Sequence, residues 1–217
     1  MTLKLYKTDP SPPVRAVYMV LHKLNIFDDV EFIEMNVFNP TDQQKKEFLK
    51  LNPQHTVPTL VDDDFVLWDS HAIIGYLVAK YGKDDSLYPT DPKKRAIVDQ
   101  RLHFDSGVLF PALADNVKPL IFSGAKKLPE GGLDKVKRAY DLLEASIKTP
   151  WLAGDKLTVA DISVVSSVSS LDTFAPIDGK KYPKTAEWFQ RVKKQDFYEK
   201  NVPGLEGLGQ TIKNLLK

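Results

Sequence analysis

Asn52-Pro53-Gln54-His55-Thr56-Val57-Pro58-Thr59-Leu60 sets a proline at the mouth of an apolar strand, where it has no N–H to give a sheet ladder. Val57, just ahead of it, is restricted to extended backbone. A tight turn here would suit a cis bond, which is cheap before proline and expensive elsewhere. Such a turn leaves the Val57 amide and carbonyl unpaired in the sheet, free to meet an extended, peptide-like ligand. Eleven residues after Pro58 comes Asp69-Ser70-His71, a polar cluster where a helix should begin. Together they predict a site for a small peptide.

Working outward from that strand decides the fold. Residues 3–6 alternate and predict a short strand. Ser11-Pro12-Pro13-Val14-Arg15 predicts a helix start, with Ser11 as cap, Pro12 in the first turn and apolar residues at 14, 17, 18, 21 and 24. A second strand is predicted over 30–37 and a weaker helix over 41–51, with Phe48 and Leu49 inward. Residues 57–61 and 65–68 are short strands joined by Asp62-Asp63-Asp64. A strongly periodic helix then runs from Ser70 to its stop at Gly82. The leading strand-helix-strand unit requires parallel pairing with a right-handed crossover, and the short closing loop requires antiparallel pairing. This is a thioredoxin-like βαβαββα arrangement.

After it the text changes. Residues 84–91 are polar and end in proline, as a linker does. Beyond them strand signals nearly vanish, and amphipathic helices are predicted at 92–122, 133–147, 158–171 and 183–194. The expected fold class is therefore α/β plus all-α: a thioredoxin-like domain over 1–83, a linker over 84–91 and an all-helical domain over 92–217. Within the second domain, Leu157-Thr158-Val159-Ala160-Asp161-Ile162 opens the most apolar helix. Thr158 caps it, Asp161 takes the usual Glu place in a capping box, and Leu157 and Ile162 are placed for a hydrophobic staple. Its role is read as structural.

Composition excludes several functions. The 217 residues are 42% hydrophobic and 27% charged, ordinary for a globular chain. Thirty Lys and Arg against 29 Asp and Glu give no field for nucleic acid or an anionic membrane. The absence of cysteine removes disulfides, Cys-based zinc sites, CxxC redox chemistry and a cysteine nucleophile. No metal is expected. No segment reads as a signal peptide or a membrane span, so a soluble cytoplasmic protein is the expectation.

The reactive group must then be Ser, Thr, Tyr, His or Lys. Ser11 stands out: it lies after the first strand at a helix N-terminus, where positive potential favours an anion and a hydroxyl can donate to a thiolate. The alternative is a plain cap. Asp69 can accept from a ligand ammonium, the helix start at Ser70 suits a carboxylate, and His55 can donate to another carboxylate or be a structural histidine. A peptide with a carboxylate at each end, one ammonium and a thiol matches the set.

That ligand is glutathione, and the chain resembles the cytosolic glutathione transferases, close to the insect epsilon class. The resemblance rests on Ser11-Pro12-Pro13-Val14-Arg15-Ala16-Val17, the segment Asn52 to Pro58, Asp69-Ser70-His71-Ala72-Ile73, the segment Tyr81 to Pro89, and Leu157-Thr158-Val159-Ala160-Asp161, five motifs in family order across essentially the whole length. It implies an enzyme that conjugates glutathione to hydrophobic electrophiles in detoxification, with a peroxidase side activity, as a cytoplasmic homodimer without a metal. It implies Ser11 as the hydroxyl stabilising the thiolate, His55 at the glycyl end, Val57 with a cis Pro58 at the cysteinyl backbone, and Asp69 and Ser70 at the γ-glutamyl end. His71 is implied as a supporting residue.

The chain departs from relatives in two places. Where several epsilon members carry histidine, Thr41-Asp42-Gln43-Gln44-Lys45 offers Gln43 as a neutral donor to the glycyl carboxylate. Where some relatives have arginine, Phe110-Pro111-Ala112-Leu113-Ala114-Asp115 has none, and Pro111 is expected to kink a helix. Pro12, Phe38, Phe110, Leu113, Val117, Phe174 and Leu208 are the expected walls of an apolar acceptor site, with core packing as the alternative. Two other readings stay open: a non-catalytic carrier of hydrophobic ligands, and a sterol- or ecdysteroid-pathway transferase, to which the tail from Pro203 to Thr211 also bears resemblance.

Overall fold

The computed structural model describes residues 3–36 and 41–216, with residues 42–44 described by backbone alone. The first part runs β1 (Leu3–Lys7), α1 (Pro12–Lys23), β2 (Val30–Glu34), α2 (Asp42–Leu51), β3 (Thr59–Asp62), β4 (Phe65–Trp68) and α3 (Ser70–Tyr81). The sheet order is β2-β1-β3-β4. β1 pairs parallel with β2, Leu5 opposite Phe32, and antiparallel with β3, Leu5 opposite Leu60. β3 and β4 close as an antiparallel hairpin. This is the expected thioredoxin-like order, followed by a helical domain.

The helical part contains α4 (Pro92–Phe104), α5 (Phe110–Phe122), α6 (Gly132–Ser146), α7 (Val159–Asp172), α8 (Pro183–Lys193) and α9 (Val202–Leu215). The amphipathic stretch 92–122 is not one helix. A π-helical turn at Asp105–Leu109 divides it, and the Phe110 amide reaches back five residues to the Asp105 carbonyl. Pro111 then falls in the first turn of α5, where a missing amide is tolerated; Pro119 is the proline inside that helix. β2 stops at Glu34, short of 37, and β3 starts at Thr59, two residues later than expected. α9 has no counterpart among the predicted helices. Gly204, Gly207 and Gly209 weaken its propensity, but Leu208 and Ile212 are buried and tertiary packing outweighs that cost.

Two buried carboxylates organise the frame. Asp62, expected in a polar turn, is buried at the end of β3 and accepts from Tyr76 (2.8 Å), Lys80 (2.7 Å) and Tyr81 (2.6 Å), tying the sheet to α3. Asp161 does more than cap. It accepts from the amide (3.0 Å) and hydroxyl (3.2 Å) of Thr158, the amide of Leu152 (2.9 Å) and the indole of Trp188 (2.9 Å). It thereby joins the start of α7 to the preceding loop and to α8. Between the two parts, Arg95 lies 3.4 Å over the Tyr88 ring and donates to the carbonyls of Pro89 (2.7 Å) and Tyr88 (2.9 Å). The Val159 amide donates to the Leu87 carbonyl (2.9 Å).

α1 is buried on nearly every side, from Val14 to Leu21, because α3, α7 and the turn over Asp196–Asn201 pack around it. The serines of α7 suit that contact. Ser166 and Ser170 return their hydroxyls to the carbonyls of Ser163 (2.7 Å) and Ser166 (2.6 Å), so small polar side chains are buried without losing hydrogen bonds. Removing the four-donor acceptor with Asp161→Ala is expected to cost roughly 3 kcal/mol, because buried donors lose a charged partner. Urea unfolding checks this; a change below 1 kcal/mol, within the range of ordinary surface substitutions, would contradict it.

Candidate functional site

A cavity of about 490 Å³ opens between the two parts of the chain. Its floor on the sheet side comes from the loop before β3. Asn52, fully buried, donates through Nδ2 to the Thr56 carbonyl (3.0 Å) and the Thr59 hydroxyl (2.9 Å), and its Oδ1 accepts from the Gln54 amide (2.9 Å). This brace presents Val57 and Pro58, joined by a cis peptide bond. Among the described residues neither the amide nor the carbonyl of Val57 has a hydrogen-bond partner, so a free backbone edge faces the cavity. His55, at φ 53°, packs edge-on against Phe48 with its buried Nε2 unpaired.

Ser11 reaches the same cavity from the start of α1. Its amide donates to the Thr8 carbonyl and its carbonyl accepts from the Arg15 amide, both at 3.1 Å, while its side chain makes no capping bond. The hydroxyl is therefore not committed to the helix. Pro12 and Pro13 have no N–H, so the first amide that α1 can present belongs to Val14. The helix end supplies less hydrogen bonding here than its position alone implies.

Asp69 and Ser70 form the third polar corner. Asp69, at φ 73°, caps α3: its Oδ1 accepts from the amides of His71 (2.9 Å) and Ala72 (3.3 Å), leaving Oδ2 for another donor. Ser70 begins α3, and among the described residues its amide has no partner. A free helix-end amide beside a carboxylate oxygen can hold a carboxylate and an ammonium on adjacent atoms of one ligand.

Beneath this corner lies a cluster that sequence reasoning missed. His71 Nε2 sits 3.2 Å from Asp105 Oδ2 and 2.8 Å from Ser163 Oγ, and the Ser163 hydroxyl donates to Asp105 Oδ2 (2.7 Å). Three elements, α3, the π turn and α7, thus meet at one buried carboxylate. Burial pulls the His71 pKa down, but the hydrogen bond and charge of Asp105, helped by Asp69, raise it above the ordinary value. The signal available in sequence was the polar run Ser163, Ser166, Ser167 inside an otherwise apolar helix.

The far wall is apolar. Pro12, Phe110, Leu113, Val117 and Leu208 line it, with Ile121 further out. Phe174 does not: it follows the end of α7 and packs, partly buried, against the core. Phe38 and the side chain of Gln43 lie outside the described residues; Gln43 is placed on α2 by its backbone. Among the described residues no group of His, Asp or Glu could hold a metal ion, and no helix is long and apolar enough to cross a membrane.

Comparison with known proteins gives one answer along the chain. The family model for the glutathione S-transferase N-terminal domain matches residues 5–86, and that for the C-terminal domain matches residues 97–196. Glutathione S-transferase 1 of Manduca sexta is 55% identical over 206 residues, covering 94% of each chain. An epsilon-class glutathione S-transferase from the housefly, Musca domestica, superposes with a TM-score of 0.93 at 46% identity, over 99% of this chain and 98% of its own. A glutathione transferase homologue from Drosophila mojavensis, solved with bound glutathione, superposes with a TM-score of 0.91 at 44% identity, over 98% and 97%.

The His71 cluster predicts a pH signature. A folded pKa raised above that of the unfolded chain stabilises fully below the unfolded value, and the contribution is lost as pH rises through the folded value. His71→Gln should therefore lose more unfolding free energy at about pH 5, below the unfolded value, than at an alkaline pH above the folded one. Equal losses by urea unfolding at both pH values would contradict the ion pair.

Proposed function

The chain belongs to the glutathione S-transferase family, and we propose that it conjugates glutathione to apolar electrophiles, using Ser11 to hold the thiolate. One observation carries the reading: Ser11, the free edge at Val57-Pro58, and Asp69-Ser70 line the same cavity as an apolar wall. In this reading residues 1–83 bind glutathione, 84–91 link, and 92–217 supply the acceptor wall.

The unpaired groups match the tripeptide one by one. Val57 offers a carbonyl and an amide to the cysteinyl amide and carbonyl. Ser70 offers its amide and hydroxyl to the γ-glutamyl carboxylate, and Asp69 Oδ2 takes the ammonium. His55 Nε2, buried and unpaired, suits the glycyl carboxylate, with Gln43 as a second donor. Held at three points, the thiol is directed to Ser11. His71 supports this corner from beneath through Asp105 and Ser163.

A free thiol has a pKa of about 8.5, and lowering it by about two units takes roughly 2.7 kcal/mol. A hydroxyl bond to a thiolate is charge-assisted and belongs to the strong class. With Pro12 and Pro13 unable to donate, the Ser11 hydroxyl carries most of the hydrogen bonding to sulfur, aided by the field of α1. The thiolate then attacks the electrophilic carbon; a carbon–sulfur bond forms and the leaving group departs with its electron pair. No general base is needed once the proton has left for solvent.

The acceptor is an apolar molecule, since Phe110, Leu113, Val117 and Leu208 offer surface without charge. The protein is proposed to act in the cytoplasm as a homodimer, which sedimentation tests. Retention on immobilised glutathione with turnover of a chloronitroaromatic is the expected result; retention without turnover would favour a carrier. Ser11→Ala should lower kcat/KM about 30-fold, equivalent to about 2 kcal/mol of transition-state stabilisation, while the protein is still retained. Unchanged turnover would remove Ser11 from its role.

A further inference from the structure

The turn that carries Ser11 is held from two sides, and one of them is the helix that sequence reasoning missed. On one side, Tyr18 of α1 donates its hydroxyl to Asp9 Oδ1 (2.7 Å), and Lys7 donates to the same oxygen (2.8 Å). On the other, α9 lies against the turn with no side chain between them. A Cβ on Gly204 would fall 2.1 Å from the Asp9 carbonyl oxygen and 2.8 Å from Arg15 Cδ. One turn further, Gly207 sits beside Pro10, and Leu208 lines the acceptor wall. The start of α9 is fixed in turn by Asn201, which accepts from Arg15 and donates to Ser169 (3.1 Å).

We propose that Gly204 and Tyr18 are positioning residues, a clamp on the Thr8–Ser11 turn that sets where the Ser11 hydroxyl stands in the cavity. This rests on the reading of Ser11 above. The contact at Gly204 is backbone against backbone, so no side-chain rotation can relieve a larger residue there. A methyl group must displace the Asp9 carbonyl or lift α9, and the Ser11 amide is bonded within the same turn, to Thr8. Tyr18 acts on the same residue through its side chain. Without its hydroxyl, Asp9 keeps only the exposed Lys7 pair.

The consequence is specific. A misplaced hydroxyl weakens a short charge-assisted bond but leaves the three attachment points of the tripeptide in place. Gly204→Ala and Tyr18→Phe should raise the pKa of the enzyme-bound glutathione thiol, read by thiolate ultraviolet absorbance, and lower kcat at neutral pH about three- to tenfold. The KM for glutathione should stay within about twofold. Gly209→Ala is the control: its Cβ would meet only the Thr173 side chain, Cγ2 at 3.5 Å and Cβ at 3.7 Å, ordinary contacts away from the turn.

A raised thiol pKa in both variants, absent from Gly209→Ala, is the expected result. A wild-type pKa in Gly204→Ala, or in Tyr18→Phe should the glycine variant not fold, overturns the clamp. So does an equal change in Gly209→Ala, which would mark general damage to α9. Ser11→Ala separates the two levels. If it leaves the thiol pKa unchanged, the reading of Ser11 fails; if it raises the pKa while the clamp variants do not, only the clamp fails.

Discussion

Burial of the Arg15 guanidinium is the constraint on which the rest depends. It is fully buried in α1 and has no carboxylate partner among the described residues. Its Nη1 donates to Asn201, its Nη2 to the Ser170 hydroxyl (2.5 Å), and its Nε has no partner among the described residues. Burial pulls its pKa down to about 9, opposed by Tyr198, so it remains a cation at neutral pH. A charge in such surroundings depends on the hydrogen bonds it does make, here those to Asn201 and Ser170. α1 is thereby held to α7 and to the start of α9, and the residue at its head, Ser11, inherits a position defined by both parts of the molecule.

The site follows from that placement. The sheet side supplies backbone and helix-end groups with no partner of their own, which is what a peptide needs. The helical side supplies apolar surface. Between them the π turn at Asp105–Leu109 does two things: it turns Asp105 toward His71 and Ser163, and it aims Phe110 and Leu113 into the cavity. The same irregularity therefore braces the Asp69-Ser70 corner and shapes the apolar wall of the cavity. π turns tend to occur at functional positions.

Much of the first part was legible because its signals are local. Pro58 ahead of an apolar strand, Asp69 ahead of a periodic helix and Ser11-Pro12 after β1 each follow from backbone restrictions of single residues. The capping pair Thr158 and Asp161 was legible for the same reason, though its reach to Leu152 and Trp188 was not, since those contacts are distant in sequence. α9 was missed because three glycines lower helix propensity, and only the neighbour those glycines admit explains them. The π turn was missed because an added residue leaves hydrophobic periodicity nearly intact. Asp62 read as turn because its three partners lie on α3. Phe174 shows the limit for apolar residues: sequence says they are buried and does not say against what.

In the proposed function one tripeptide uses the free edge at Val57, the helix start at Asp69-Ser70 and the Ser11 hydroxyl together. A crystal structure with an S-alkylated glutathione tests it most directly. The cysteinyl amide and carbonyl should pair with Val57 at about 2.9 Å. The sulfur should lie beside Ser11 Oγ and the alkyl group against Phe110 and Leu113. A conjugate whose peptide leaves Val57 unpaired, or whose sulfur lies away from Ser11, would contradict it.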